Sequence, residues 1–301
     1  MADVPHYYAA KHIRHWSQSK ARCPLSYLIC EYMIRQPRYY DARTAKAGGD
    51  PEADLRLAHY AKPANIQMKA GTAVHQAAFA VANGADFVEQ LDAVTDALSA
   101  HTPIPWLERD AALQDFMLSD ADAVEATLEN AVAGIREAFV GANTIDAEDK
   151  FEIDLPGIEI PTVGYCDGRG GGTTGELKTK WDRVSKSSSS GFAANSLPRE
   201  PDKNDIQQAA LYAYVFGGTA KLIYANRLGH RVFVLDDEQC TWAVQDLITS
   251  LRKRQALFER HETVDDLINV VEAEFMDFRF RDYSSELLAE FRQVMNGRWE
   301  A

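Results

Sequence analysis

Asp167, Glu176 and Lys178 are the residues whose types and spacing best suit them to chemistry. They stand in the segment Gly164-Tyr-Cys-Asp167-Gly-Arg-Gly-Gly-Gly-Thr-Thr-Gly-Glu176-Leu-Lys178-Thr. A strand ending at Asp167, a glycine turn and a second strand carrying Glu176 and Lys178 would form a hairpin that gathers all three side chains. Two residues apart on a strand, Glu176 and Lys178 share a face, and Leu177 points to the other. Two carboxylates and the Leu177 main-chain carbonyl are hard oxygen ligands for Mg²⁺ or Mn²⁺, ions that neutralise phosphate charge and acidify bound water. Lys178, beside them, would orient an attacking water or stabilise the charge that builds on a phosphate. That is the chemistry of metal-assisted phosphodiester hydrolysis. The same residue types would equally serve as a cross-strand salt bridge on a solvated hairpin.

A chain of 301 residues, 46% of them hydrophobic, is long enough for one large domain with embellishments or two small ones. No apolar run approaches the roughly 20 residues that span a bilayer, and the start Met1-Ala-Asp-Val-Pro-His lacks a basic region followed by an apolar core. The expectation is a soluble cytoplasmic protein without a membrane partner. Cys23, Cys30, Cys166 and Cys240 lie far apart with no C-x-x-C pair, which predicts free thiols. A net charge of −13 opposes a nucleic-acid partner, but its distribution is uneven. Residues 1 to 46 hold Lys11, Arg14, Lys20, Arg22, Arg35, Arg38, Arg43 and Lys46 against Asp3, Glu31 and Asp41. Lys178, Lys180, Arg183 and Lys186 form a second cluster and Arg252-Lys253-Arg254 a third; each would line a phosphate track or form a solvated face.

The elements that must position these residues follow from periodicity. Residues 17 to 35 predict a helix after a Ser17 or Ser19 cap, with Leu25, Leu28, Ile29, Tyr32 and Met33 as its apolar stripe. Residues 41 to 54, with Gly48-Gly-Asp-Pro51, predict a mobile surface loop. An alanine-rich helix is expected from a Thr72 cap to about Asn83, and further helices from about 86 to 142. Strands are expected at Phe151–Leu155, Ile160–Gly168 and Thr173–Lys180. A serine- and proline-rich loop covers about 187 to 205, of a length that is functional or disordered. A helix at about Asp205–Phe216 leads to a hairpin of Lys221–Asn226 and Arg231–Leu235, and helices complete the chain.

That order, helix, three strands, helix, two strands, resembles the PD-(D/E)XK nuclease superfamily and its RecB-like exonuclease branch. Four pieces carry the likeness over residues 19 to 212. Ser19-Lys-Ala-Arg-Cys23-Pro24-Leu-Ser-Tyr27 resembles the S-x-x-x-x-C-P-x-x-[FY] element, and Gly71-Thr72-Ala-Val-His75 is similar to G-T-x-x-H. Asp167 with Glu176-Leu-Lys178 forms the third, and Gln208-Ala-Ala-Leu-Tyr212 is similar to Q-x-x-x-Y, with Gln207 as the alternative one residue earlier.

The resemblance implies an α/β (α+β) restriction-endonuclease-like core, a mixed sheet of about five strands flanked by helices. It would lie in a single domain, 1–301: an N-terminal helical element 1–70, a helical part 71–150, a catalytic sheet and helix 151–236, and C-terminal helices 237–301. With Thr72 as cap, His75 would lie in the first helical turn, where the dipole favours a neutral, metal-binding ring; as a lone histidine in an alanine-rich helix it would be a packed residue, and it is the resemblance that makes it a ligand. The implied ligands for Mg²⁺ or Mn²⁺ are His75, Asp167, Glu176 and the Leu177 carbonyl, with Asp167, Glu176 and Lys178 catalytic. Gln208, Tyr212, Lys180, Lys20, Arg22 and Thr72 are the implied DNA-binding residues. Only Cys240 follows the Q-x-x-x-Y helix, against the three cysteines of iron–sulfur members, so no cluster is expected. With no G-x-x-x-x-G-K-[ST] loop, the chain resembles the freestanding phage or organelle exonucleases. Their action on DNA ends in recombination, repair or phage replication, with 5′-to-3′ polarity, 5′-phosphate products and a single-strand-binding or recombinase partner, is the expectation. A phage-encoded protein would work in the bacterial cytoplasm. A structure-selective endonuclease and a non-cleaving DNA-binding scaffold are the rival readings.

Overall fold

The computed structural model describes residues 13, 15–185, 188, 191–261, 263–272, 275 and 278–295. The chain divides into two compact units, one of Met1–Pro63, Ile153–Val163 and Ile248–Ala301, the other of Ala64–Glu152 and Gly164–Leu247.

In the first unit, α1 (Gln18–Arg22) starts at Ser17, whose hydroxyl accepts from the Lys20 N–H at 3.2 Å. The expected helix over 17–35 is interrupted at Cys23-Pro24. Proline disfavours the helical conformation in the residue before it, and Cys23 is extended at ψ 154°. The helix restarts as α2 (Leu25–Leu28), widens into a π-helical stretch at Ile29–Arg35 and continues as α3 (Gln36–Ala47). The mobile loop expected over 41–54 is therefore corrected. Its first part is helical and buries Ala42, and a break from Gly48 to Glu52 follows, Gly49 taking a φ of 83°. After Asp50-Pro51 comes α4 (Ala53–Tyr60), held by Lys46–Asp54 at 2.5 Å and by Arg56 on Asp50. Trp16 stacks on Phe258 at 5.8 Å and bridges in parallel to Thr162. A second aromatic group, Tyr27, Phe280, Tyr283 and Phe291, packs ring against ring, and the Tyr283 hydroxyl donates to Glu31 of the buried Glu31–Arg35 ion pair, itself 2.6 Å apart.

The second unit opens with α5 (Ile66–Ala82), α6 (Phe87–Ser99), α7 (Glu108–Ser119) and α8 (Ala121–Ala138). The α5 helix begins six residues before Thr72. Its cap is Asn65, whose side chain accepts from the Met68 N–H at 3.0 Å. The strands are β1 (Asp146–Ile153), β2 (Thr162–Gly170), β3 (Thr173–Thr179), β4 (Arg183–Val184) and β5 (Phe192–Ala193). Then follow α9 (Lys203–Phe216), β6 (Thr219–Asn226), β7 (Gly229–Val234) and α10 (Asp237–Arg260), whose residues beyond Leu247 belong to the first unit.

The fold is mixed α/β. Its five-stranded sheet runs β1-β2-β3-β6-β7, with β2 antiparallel to β3, β3 parallel to β6 and β6 antiparallel to β7. A parallel neighbour needs a crossover, and α9 is that crossover. On one face Leu177, Ile223 and Ala225 pack with residues of α5 to α8; on the other Leu222 and Tyr224 pack with Ala209 of α9. The described part of the 187–205 segment is anchored. Phe192 stacks on Phe116 at 4.4 Å, Ala193 pairs with Arg183, and Asn195 donates to the Trp181 carbonyl at 2.5 Å. Among the described residues no helix is long and apolar enough to cross a membrane.

Candidate active site

Two glycines decide how closely a helix approaches the sheet beside the acidic residues. Gly168 and Gly175 are paired across β2 and β3, next to Asp167 and Glu176. A Cβ on Gly168 would collide with the Phe79 ring, and one on Gly175 would lie 2.7 Å from Phe139. The missing side chains let Phe79 of α5 press onto the strands. One helical turn earlier on the same face stands His75, its ring 4.9 Å from that of Phe79. Its Nε2 lies 3.3 Å from Asp167 Oδ2, without hydrogen-bond geometry. Asp167 Oδ2 also accepts from the Leu177 N–H at 2.9 Å, which ties the end of β2 to β3.

Glu176 and Lys178 share a β3 face as alternation requires, opposite Leu222 and Tyr224 of β6, while Leu177 is buried with the helices of the other face. Lys178 Nζ contacts Glu176, donates to Gln208 Oε1 at 3.1 Å and lies 3.9 Å from Asp205 Oδ1. Gln208 Nε2 donates to the Tyr212 hydroxyl at 2.6 Å, and Tyr212 meets Phe151 edge-on. The glutamine of this site is Gln208. Gln207 is fully buried on another side of α9, donating to the Ala243 carbonyl at 3.1 Å.

The electrostatics separate the two carboxylates. Burial and the neighbouring Asp167 charge push the Glu176 carboxyl up to about 8, only partly opposed by Lys178. Burial acts on Asp167 too, but His75 when it carries a second proton, Lys178 and the Leu177 N–H outweigh it and hold Asp167 below the usual carboxylate range. For Lys178 burial favours the neutral amine, yet Glu176, Asp205 and Asp167 together raise it and keep an ammonium. Asp205 and Asp167 continue to do so when Glu176 is protonated. Burial and the nearby carboxylates also raise Tyr212, which stays a phenol and a hydrogen-bond donor.

Several expectations change. Thr72 is not a cap: it is exposed within α5, its hydroxyl donating to the Met68 carbonyl at 3.1 Å. His75 therefore stands in the third turn of α5, and a dipole at the helix start has no part in its chemistry. Lys20 is buried in the first unit, donating to the His15 carbonyl at 2.8 Å, and burial lowers it to about 8. It is not displayed for phosphate. Arg22 lies in the last turn of α1, and Lys180 sits 5.3 Å from the Tyr224 ring centre. Two members of the third basic cluster are structural, and Lys253 between them is exposed. Arg252 donates to the Pro156 carbonyl at 2.6 Å, and Arg254 donates to the Ala21 and Cys23 carbonyls at the end of α1. Arg35 and Arg38 pair with Glu31 and Glu290, while Lys11, Arg14 and Lys186 lie outside the described residues.

Sequence reasoning missed Asp205, which faces Lys178 and accepts from the Tyr224 hydroxyl at 2.6 Å. Its spacing of three and seven residues before Gln208 and Tyr212 marks one helical face and was the available signal.

Among the described residues no three His, Cys, Asp or Glu side chains already converge as a metal-binding group. The donor set nonetheless suits a hard divalent cation. His75 Nε2 and Glu176 Oε2 are buried without hydrogen-bond partners, and the ionised Asp167 carries the charge. The four cysteines are free, and burial pushes the Cys166 thiol up to about 12, away from thiolate ligation.

No family model and no curated protein matches the chain. Among solved structures it is similar to "Crystal structure of SSO0001", at 14% identity over 55% of this chain and 86% of that chain, with a TM-score of 0.25.

Proposed function

We propose that this chain is a metal-dependent deoxyribonuclease with a PD-(D/E)XK core of the RecB-like branch, hydrolysing phosphodiester bonds from DNA ends. One observation carries the reading. Residues from separate motifs form a continuous series of contacts, from His75 to Asp167 at 3.3 Å, from Asp167 to the Leu177 N–H at 2.9 Å, and from Lys178 through Gln208 to Tyr212. A salt bridge on a solvated hairpin would not leave Glu176 buried, nor set a glutamine and a tyrosine behind the lysine.

His75, Asp167, Glu176 and the Leu177 carbonyl are the residues that would hold Mg²⁺ or Mn²⁺, which supplies an acidified water and neutralises charge on the scissile phosphate. Lys178, kept as an ammonium, donates to the attacking water or to a phosphate oxygen and does not take up a proton. Gln208 and Asp205 fix the direction of its Nζ. Tyr212 holds the Gln208 amide so that its carbonyl faces the lysine.

Lys178→Ala or Asp167→Ala should reduce Mg²⁺-dependent degradation of linear DNA by at least about 100-fold with the fold retained by circular dichroism. Undiminished degradation by either variant would refute these roles. A scaffold would instead bind DNA in chelator and never shorten it.

A further inference from the structure

The site contains a residue that neither the motifs nor the reading above employs. Glu148 of β1 has a φ of 54°, and among the described residues it is the only one other than glycine with a positive φ. A side chain in this left-handed region is disfavoured, and such strain collects where a side chain is aimed at a particular neighbour. The neighbour is His75: Glu148 Oε1 lies 3.7 Å from Nδ1, the ring nitrogen directed away from Asp167, about 0.5 Å farther than a hydrogen bond reaches, so the contact closes only with a small movement of the half-exposed side chain. The imidazole is thus bordered by Phe79 on its ring, Asp167 at Nε2 and Glu148 at Nδ1.

We propose that Glu148 is the positioning residue of His75: by accepting from Nδ1–H it sets the ring tautomer, so that the Nε2 lone pair joins Asp167 in ligating a divalent cation. A neutral imidazole carries one N–H, and the partner at one nitrogen fixes what the other offers. With Nδ1 protonated, Nε2 and Asp167 Oδ2 are two acceptors 3.3 Å apart, consistent with the buried Nε2 that has no hydrogen-bond partner. A cation shared between them resolves that opposition, whereas a proton on Nε2 would bond Asp167 and occupy the ligand. A carboxylate on the far nitrogen of a metal-binding histidine acts in this way, and its loss costs ~10–100-fold in metal affinity. Glu148 is half exposed.

This role rests on the metal-site reading, and two measurements separate them. Calorimetry with Mg²⁺ and Mn²⁺ should show Glu148→Ala binding ~10–100-fold more weakly than wild type, with Glu148→Gln recovering much of the loss because its amide oxygen still accepts from Nδ1–H. Nitrogen NMR of the His75 ring in cation-free protein should show the proton on Nδ1 in wild type and its transfer to Nε2 in Glu148→Ala. Wild-type affinity in Glu148→Ala, or an unchanged tautomer, would overturn the role of Glu148 while leaving the metal site standing. Gln as damaging as Ala would also overturn it, because the carboxylate would then act only through its charge. Absence of cation binding by wild type would overturn the metal site and this role together.

Discussion

Glu176 is 1% exposed and keeps one carboxylate oxygen without a hydrogen-bond partner, so its ionisation is costly until a cation arrives. Its value rises from the ordinary 4.5 to about 8 on folding, so the native state binds more protons than the unfolded chain across that window. The stability this group contributes is full below about pH 4.5 and is lost as pH rises through about 8. Urea unfolding of the cation-free protein should therefore show a decline between about pH 5 and about pH 9 that Glu176→Gln lacks. Equal declines in both proteins would place the titration elsewhere. Mg²⁺ should restore stability on the alkaline side, because ligation requires the carboxylate. At this scale Asp167, Glu176 and Lys178 were legible because strand alternation puts Glu176 and Lys178 on one face and the glycine hairpin brings Asp167 beside them. Asp205 was not, since an aspartate near a helix start reads first as a capping residue.

At the scale of elements, the start of α5 separates two sources of helix stability. Asn65 caps the helix through its contact with the Met68 N–H, whereas the Thr72 hydroxyl faces solvent one turn beyond its acceptor. Asn65→Ala should cost about 1 kcal/mol and Thr72→Ala no more than about 0.5 kcal/mol in chemical denaturation. The reverse order would restore Thr72 as the start. Gly168 offers a different test. An alanine there would drive its methyl group into Phe79, so Gly168→Ala should cost about 1–3 kcal/mol and weaken Mg²⁺ binding by moving His75 from Asp167. Stability and affinity both unchanged would show that the glycine does not set the helix position. The succession of strands along the chain and the helix α9 before β6 were readable because alternating apolar residues and turn glycines are local signals. The boundaries of α3 and α5 were not. A polar, exposed helix such as α3 lacks an apolar stripe, and Gly71-Thr72 resembles a helix start although the residues before it are already helical.

For the molecule as a whole, the sum of charge hides how the cations are used. Lys20, Arg35, Arg38, Arg252 and Arg254 are committed to carbonyls or carboxylates within the first unit, and Lys46 to Asp54. Lys20, Arg35, Arg38 and Lys46 of the basic N-terminal stretch are thus engaged within the fold, and the net charge of −13 opposes a phosphate backbone. DNA binding by the Lys178→Ala variant should therefore depend weakly on KCl, with a log–log slope no steeper than about −4, at roughly −0.9 per phosphate neutralised. A slope near −8 would require an extended basic track. Divalent cations at the acidic site would then supply much of the attraction for the substrate.

A site that uses a divalent cation to hydrolyse DNA from its ends must need a free terminus and stop in chelator. The most direct measurement follows wild-type protein on end-labelled linear DNA and on covalently closed circular DNA, each with Mg²⁺, Mn²⁺ or chelator. Progressive shortening of the linear strand is expected with either cation, with none in chelator and the circle intact. Cleavage of the circle would contradict action from ends, and a linear strand left whole with both cations would contradict hydrolysis itself.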